Sequence, residues 1–354
     1  MLQIECSGSP REAGRLKAFT GFTHGQKAKE HISRSIAFYT WQFQDSAKLS
    51  WAEVRKLASR FEPTIRDKWP AYHEEMQGIA EGAGLDLEDI IAINVRTEIT
   101  FGLFSDGCTA LSWRTSGNSW LAQNWDWNPR QQENLVQLSI EQAGKPTIKM
   151  MTEAGLIGKI GLNSAGVGVC LNAIKAKGMD PMRLPCHLGL RMVLESTSRD
   201  DAVQKLESVG IASACHMLVA DASGGIGLEW SASGLQKVLM NQEQQIFHSN
   251  HFLIQHQEED TNWLADSNFR VARIEELAKE VRGQPTADDL YGIFKDTSNW
   301  PGAICRSAKG ENTSQTLFNI VMDLEARRAS VTVGRPVEPA ESFDLSFAGG
   351  EARL

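Results

Sequence analysis

The periodicity of this chain changes near residue 107, and that change restricts the fold more than any other feature of the sequence. Upstream, apolar residues such as Ala28, Ile32, Ile36, Ala37, Trp41 and Phe43 recur at helical spacing over 24–43, and the pattern continues over 51–61 and 65–79. Gly82 and Gly84 close the block. A further helix is expected over 85–95, with Asp86, Glu88 and Asp89 in its first turn, where the helix dipole favours acids.

Downstream the chain turns to short β runs punctuated by Gly and Asn, at 109–113, 119–125, 135–141, 147–152, 156–162 and 167–171. Helices are expected over 188–195 and 201–206, then strands over 216–220, 226–231, 236–240 and 245–248, with 221–225 (DASGG) as a turn. Helices over 268–281 and 287–294 precede closing strands over 316–323 and 329–333. Many short strands with helices in separate blocks imply an α+β fold of antiparallel sheets covered by helices. No linker, repeat or low-complexity segment divides the 354 residues, so a single domain over 1–354 is expected.

The formal net charge of −8 comes without a cluster of Lys or Arg, and phosphate backbones need clustered cations. Nucleic acid is therefore not an expected partner. No apolar run approaches the roughly 20 residues of a membrane helix, and 1–10 has neither the basic nor the apolar part of a secretory signal. The six cysteines, Cys6, Cys108, Cys170, Cys186, Cys215 and Cys305, form no CxxC pair, which argues against a zinc site and a disulfide framework. His248, His251 and His256 have no cysteine or acid at ligand spacing, so no metal is expected. The glycine fingerprints of nucleotide-binding loops are absent as well, and no cofactor is expected.

Asp106, Gly107, Cys108 and Thr109 form the motif with most chemical content. Gly107 has no Cβ, so its carbonyl can be approached closely. Attack by the Cys108 thiol on that carbonyl gives a thioester, and water then releases the upstream piece. The α-amine so exposed has an unperturbed pKa of roughly 7.7 to 8.0, which lets it take the thiol proton near neutrality. One residue then supplies nucleophile and base. Asp-Gly is also a common turn dipeptide and free cysteine a common core residue, so the motif alone leaves a structural reading open.

Such a nucleophile needs an oxyanion donor, an orienting group and a substrate clamp. Asn250, at an expected strand end after His248 and Ser249, offers an amide NH₂ for the oxyanion, or a turn cap. Asp126 ends the apolar run 120–125, where an unpaired carboxylate is costly to bury. It is a candidate to orient the Cys108 amine, or a strand-end turn acid. Arg306, beside Cys305, can clamp a substrate carboxylate through two hydrogen bonds, or serve a structural ion pair. Trp127 is a candidate wall for the acyl group of a substrate.

Taken in order, Asp106-Gly107-Cys108-Thr109, Gln123-Asn124-Trp125-Asp126, the run 146–163 (PTIKMMTEAGLIGKIGLN), His248-Ser249-Asn250-His251, Ile304-Cys305-Arg306 and Thr316-Leu317-Phe318-Asn319 carry a resemblance. The chain resembles, end to end, the acyl-coenzyme A:6-aminopenicillanic acid acyltransferase family of N-terminal nucleophile hydrolases, also called isopenicillin N acyltransferases. The resemblance implies an αββα sandwich of two stacked sheets. It also implies self-cleavage into two associated chains, 1–107, mainly helical, and 108–354, with Cys108 as N-terminal nucleophile, Asp126 as positioning acid and Asn250 as oxyanion donor.

The implied reaction moves an acyl group from acyl-coenzyme A, a co-substrate, through a Cys108 thioester to the amine of a β-lactam nucleus, 6-aminopenicillanic acid or isopenicillin N. Hydrolysis of an acyl amide shares that thioester. The chain departs from the family at Ala110, where a second threonine is usual, and at Asn312 and Thr313, where a Ser-Arg pair is usual. Two alternatives follow: a related enzyme acting on a different acyl amide, and an uncleaved inactive homologue. The terminal Ala352, Arg353 and Leu354 keep the size and charge pattern of the Ser-Lys-Leu address read by the peroxisomal import receptor, so a peroxisomal location is expected.

Overall fold

A computed structural model of the chain describes residues 1–9, 20–100, 107–258, 264–310 and 312–347. Asp106 and the terminal Ala352, Arg353 and Leu354 lie outside the described residues. The first strand, β1 (Leu2–Ser7), precedes a helical block of α1 (Thr20–Gln42), α2 (Trp51–Ala58), α3 (Glu62–Lys68), α4 (Pro70–Ala83), α5 (Leu87–Asn94) and α6 (Arg96–Thr100). Strands β2 (Gly107–Arg114), β3 (Ser119–Trp127), β4 (Leu135–Glu141), β5 (Ile148–Glu153), β6 (Ile160–Asn163) and β7 (Gly168–Ala173) follow. After α7 (Cys186–Leu194) and α8 (Arg199–Val209) come β8 (Cys215–Asp221), β9 (Gly224–Trp230), β10 (Leu235–Val238) and β11 (Gln245–His248). The chain then runs through α9 (Ser267–Glu280), α10 (Ala287–Ile293), β12 (Gln315–Asp323), β13 (Arg328–Arg335) and β14 (Glu338–Ser346).

Local chemistry sets several of these boundaries. Ser50 and Glu53 form a capping box that starts α2. The helix expected over 65–79 is two helices, because Pro70 has no N–H to continue α3 and confines Trp69 to φ −132°, ψ 59°. Gly84 ends α4 in the left-handed region at φ +68°. Helices α1 and α4 touch backbone to backbone: a Cβ on Gly21 or Gly25 would come within 2.3 or 2.1 Å of the carbonyl oxygens of Glu75 and Ile79.

Two sheets form the centre. The first has the order β1-β4-β5-β6-β7-β8-β9-β10 and the second β11-β2-β3-β12-β13-β14. Every pairing is antiparallel except β1 with β4, which run parallel. Strands β2 and β3 lie against β7, β8 and β9 of the other sheet, and Gln123 exchanges two hydrogen bonds with the Leu171 backbone across the gap, at 2.6 and 3.1 Å. Helices α1, α7 and α8 pack on the first sheet, while α9 and α10 pack on the second. The layer order is thus α, β, β, α.

Three sequence expectations change. The strand expected over 156–162 shortens to Ile160–Asn163. Side chains satisfy the backbone ahead of it, since Ile157 N donates to Asn94 Oδ1 at 3.0 Å and Arg191 Nη1 donates to the Ile157 carbonyl at 2.9 Å. Strand β1, unanticipated, buries Ile4 and Cys6 on alternate positions. Strand β14, also unanticipated, is an exposed edge that tolerates Pro339.

Candidate active site

The β2–β3 ladder sets Gly107 opposite Asp126 and Cys108 opposite Trp125. Because side chains alternate along a strand, Cys108, Ala110, Trp125 and Trp127 fall in the apolar layer between the sheets. Thr109, Asn124 and Asp126 face the other way, where Asn124 Nδ2 donates to the Phe294 and Ile304 carbonyls at 2.9 Å each. Trp127 is buried, stacks on Trp125 with ring centroids 6.1 Å apart, and meets the edge of Phe38 from α1 at 6.5 Å. It therefore shares the Cys108 face of the sheet.

Gly107 is wedged. A Cβ at this position would lie 2.8 Å from Asp126 Oδ2 and 3.0 Å from Arg306 Nε. Those two atoms are 4.0 Å apart, fully buried, and neither has a hydrogen-bond partner among the described residues. The other Asp126 oxygen, Oδ1, accepts from Thr316 Oγ1 at 2.7 Å, and Thr316 Oγ1 accepts from Arg306 N at 3.0 Å. A β-bulge between Thr316 and Phe318 breaks the β12 ladder at this point. Burial raises the Asp126 carboxyl from 3.8 to about 6, against the pull of Arg306, Arg270 and the Thr316 hydroxyl.

Arg306 sits beside Asp126, but its fork is not open to a substrate carboxylate. Nη1 and Nη2 both donate to Asp266 Oδ2, at 2.8 and 2.7 Å, because a buried guanidinium requires a carboxylate partner. Burial and the neighbouring Arg270 also lower its proton affinity.

Asn250 follows β11 and faces Cys108 with its carbonyl end. Its Oδ1 accepts from Cys108 N at 2.9 Å, and its Nδ2 donates to the Ala173 carbonyl at 2.9 Å. An amide nitrogen carries two hydrogens, so one remains for a further acceptor. Asn250 Oδ1 also accepts from Arg270 Nη2 at 2.8 Å. Nothing in the sequence points to Asp266 or Arg270, and Thr316 stands there only within the motif Thr316-Leu317-Phe318-Asn319, with no role attached. Asp266 and Arg270 look there like an ordinary helical ion pair four residues apart, and nothing in the local pattern ties them to Cys108.

The histidines have partners that are not metal-ligand clusters. His248 Nε2 and His256 Nε2 approach Glu229 at 2.8 and 3.3 Å, and His251 Nδ1 lies 2.7 Å from Ser267 Oγ. Among the described residues no cluster of His, Cys, Asp or Glu fits a metal ion, and no helix is long and apolar enough to cross a membrane.

The sequence pattern of the family described as acyl-coenzyme A:6-aminopenicillanic acid acyl-transferase matches residues 113–338, which take in Asp126, Asn250, Arg270 and Arg306. The acyl-coenzyme A:6-aminopenicillanic-acid-acyltransferase 40 kDa form of Emericella nidulans is 40% identical, over 98% of this chain and 97% of its own length. This chain belongs to that acyltransferase family. Two solved structures also resemble it at 13% identity. A mutant of conjugated bile acid hydrolase from Clostridium perfringens aligns with 68% of this chain and 92% of its own, with a TM-score of 0.49. Penicillin V acylase from Agrobacterium tumefaciens aligns with 68% and 86%, with a TM-score of 0.48. Within the acyltransferase family, the departures at Ala110 and Asn312 have clear local settings. Ala110 is fully buried opposite His248 and Gln123, and Asn312 Nδ2 donates to the Ser307 and Ser314 carbonyls at 2.5 and 3.1 Å.

Proposed function

We propose that this protein cuts its own Gly107–Cys108 bond and then transfers acyl groups from acyl-coenzyme A to the amine of 6-aminopenicillanic acid, supplied free or released from isopenicillin N when water hydrolyses its side-chain amide. The observation that carries the reading is the setting of that bond. Its nitrogen is held by Asn250 at 2.9 Å, and its glycine leaves no room for a Cβ beside Asp126 Oδ2, an oxygen without a hydrogen-bond partner among the described residues, on a carboxyl that burial raises to about 6. In cleavage, Cys108 Sγ bonds to the Gly107 carbonyl carbon as the C–N bond breaks, and the nitrogen gains a proton to become the α-amine. Water then splits the thioester, leaving the Gly107 carboxylate and a free thiol.

In transfer, the amine takes the thiol proton, the thiolate attacks the acyl-coenzyme A carbonyl, and free coenzyme A leaves with a proton. The second Asn250 N–H supports the oxyanion, a contact worth about 3–4 kcal/mol in comparable sites. Asp126 orients the amine. Exchange of one thioester for another costs little free energy, and amide formation with the acceptor drives the sequence forward. Trp125 and Trp127 form the apolar wall beside the acyl group.

Intact mass tests the first step: the expressed chain is expected as two associated pieces, 1–107 and 108–354, and the Cys108→Ala variant as one. Incubating the cut protein with phenylacetyl-coenzyme A and 6-aminopenicillanic acid tests the second, with a penicillin as product. A cut protein that releases phenylacetate instead, or acts only on another acyl amide, selects the related-enzyme reading favoured by Ala110 and Thr313. A wild-type chain that stays whole selects the inactive homologue.

A further inference from the structure

The first turn of α9 has no role in the reading above, yet its side chains grip both Cys108 and Asn250. Ser267 Oγ accepts from Asn250 N at 2.8 Å. Asp266 Oδ1 accepts from Arg270 Nε at 2.7 Å. Arg270 Nη1 donates to the Cys108 carbonyl at 2.6 Å and to Thr109 Oγ1 at 3.0 Å, and Nη2 donates to Asn250 Oδ1 at 2.8 Å. Arg270 is fully buried, and its contacts to Cys108, Thr109 and Asn250 lie out of solvent. Asp266 is itself fixed, since it also holds Arg306, and a Cβ on Gly302 would lie 2.5 Å from its Oδ2.

Donor and acceptor logic gives this arrangement a purpose. In the uncut chain Cys108 N is an amide that can only donate, so it and Arg270, with the Ser249 hydroxyl at a longer 3.3 Å, claim Asn250 Oδ1. Once the bond is cut, the same nitrogen is an amine that can accept as well, and it no longer dictates which end of the Asn250 amide it meets. A guanidinium has no acceptor and never loses its proton in proteins, so Arg270 keeps Oδ1 inward after cleavage. The Ala173 carbonyl complements it from the other end by accepting from Nδ2.

We propose that Arg270, seated on Asp266, is a positioning residue for the acyl transfer. It holds the Asn250 amide in the orientation that leaves an Nδ2 hydrogen for the oxyanion, and it fixes the nucleophile through the Cys108 carbonyl. This rests on the Cys108 thioester chemistry proposed above.

The test is a double-mutant cycle with a structural arm. Single-turnover acylation of Cys108 by phenylacetyl-coenzyme A, followed by mass, is measured for wild type, Arg270→Lys, Asn250→Ala and the double variant. Asn250→Ala is expected to slow acylation about 10²- to 10³-fold, the usual loss for an oxyanion donor. Arg270→Lys is expected to slow it about 30-fold with little change in half-saturation, and to add less than about threefold in the Asn250→Ala background. Losses that multiply overturn the proposal. A crystal structure of Arg270→Met gives the second arm: displacement of the Asn250 side chain from the Ala173 carbonyl supports the proposal, and an unmoved Asn250 overturns it. If wild-type protein forms no acyl-enzyme, the transfer reading fails, while the crystallographic arm still decides the positioning.

Discussion

Glu153 and Asp126 are both carboxylates with no exposed surface, and the fold treats them in opposite ways. Glu153 is surrounded: Arg96 Nη2 reaches it at 2.5 Å, Lys159 Nζ at 3.3 Å, Gln131 Nε2 at 2.9 Å, and the Tyr39 hydroxyl also donates to it. These donors outweigh burial and lower its proton affinity. Among the described residues Asp126 has one donor on Oδ1 and none on Oδ2, so burial wins and its affinity rises. A buried acid whose oxygens are all answered serves architecture. One left half-answered beside the peptide proposed to be cut is poised for proton chemistry.

That contrast is sharpest when each acid is neutralised in turn, with stability measured in the uncleaved Cys108→Ala background. Glu153→Gln leaves Arg96 and Lys159 facing a lost charge, and urea unfolding is expected to show a loss of about 3–5 kcal/mol. Asp126→Asn is expected to do the reverse. Its carboxyl has a higher pKa folded, about 6, than its ordinary 3.8, so ionisation opposes folding. The resulting cost is absent below pH 3.8 and complete above about 6. The variant should therefore gain up to about 3 kcal/mol at pH 8 and nothing at pH 3.5, yet lose about 10²-fold or more in transfer when Cys108 is intact. Equal stability effects at the two positions would erase the distinction.

Smaller changes probe the half-answered site itself. Gly107→Ala places a methyl against Asp126 Oδ2 and Arg306 Nε, an overpacking cost of about 1–3 kcal/mol, and uncut chain should accumulate in a mass-spectrometric time course. Cleavage at the parental rate would show that the wedge at Gly107 is unimportant. Thr316→Val removes the hydroxyl that favours ionised Asp126. The acid limb of the pH–rate profile should move upward by about one unit, the smallest of these effects. An unmoved limb would mean that another group controls it.

How much of this was legible in the sequence depends on the range of the contacts. Cys108, Asp126 and Asn250 stand at ends of strands that the alternation of apolar residues located to within a few positions, and the strand ladder itself brings Gly107 to Asp126. Arg270 escaped notice because its partners are 162 and 20 residues away, and only the packing of α9 on β2 and β11 joins them. Arg306 reads in the sequence as a carboxylate clamp or a structural ion pair, and the fork is committed to Asp266, a pairing that no local pattern displays. Leu156 and Ile157 read as strand because they are apolar and buried, whereas Asn94 and Arg191 satisfy the Ile157 backbone without a ladder. Strand β1 is readable from the alternation of Leu2, Ile4 and Cys6, and the end of β14 from that of Phe343 and Leu345, whereas its exposed first half, 338–342, alternates nothing.

The parallel pairing of β1 with β4 gives the history of the molecule a direction. Residues 1–107 contribute an edge strand to a sheet whose other strands all follow residue 108, and they hold on through Arg96 and Tyr39 to Glu153 and through Glu75 to Arg191, at 2.8 Å. While the chain is whole, finding that register is an intramolecular search. After the proposed cut, the same register must be found by two separate molecules, at a rate set by their concentration. Folding then precedes scission and is not its reversal. A protein cut in this way would last only while its two pieces stay associated, and after denaturation dilution alone could keep it from recovering.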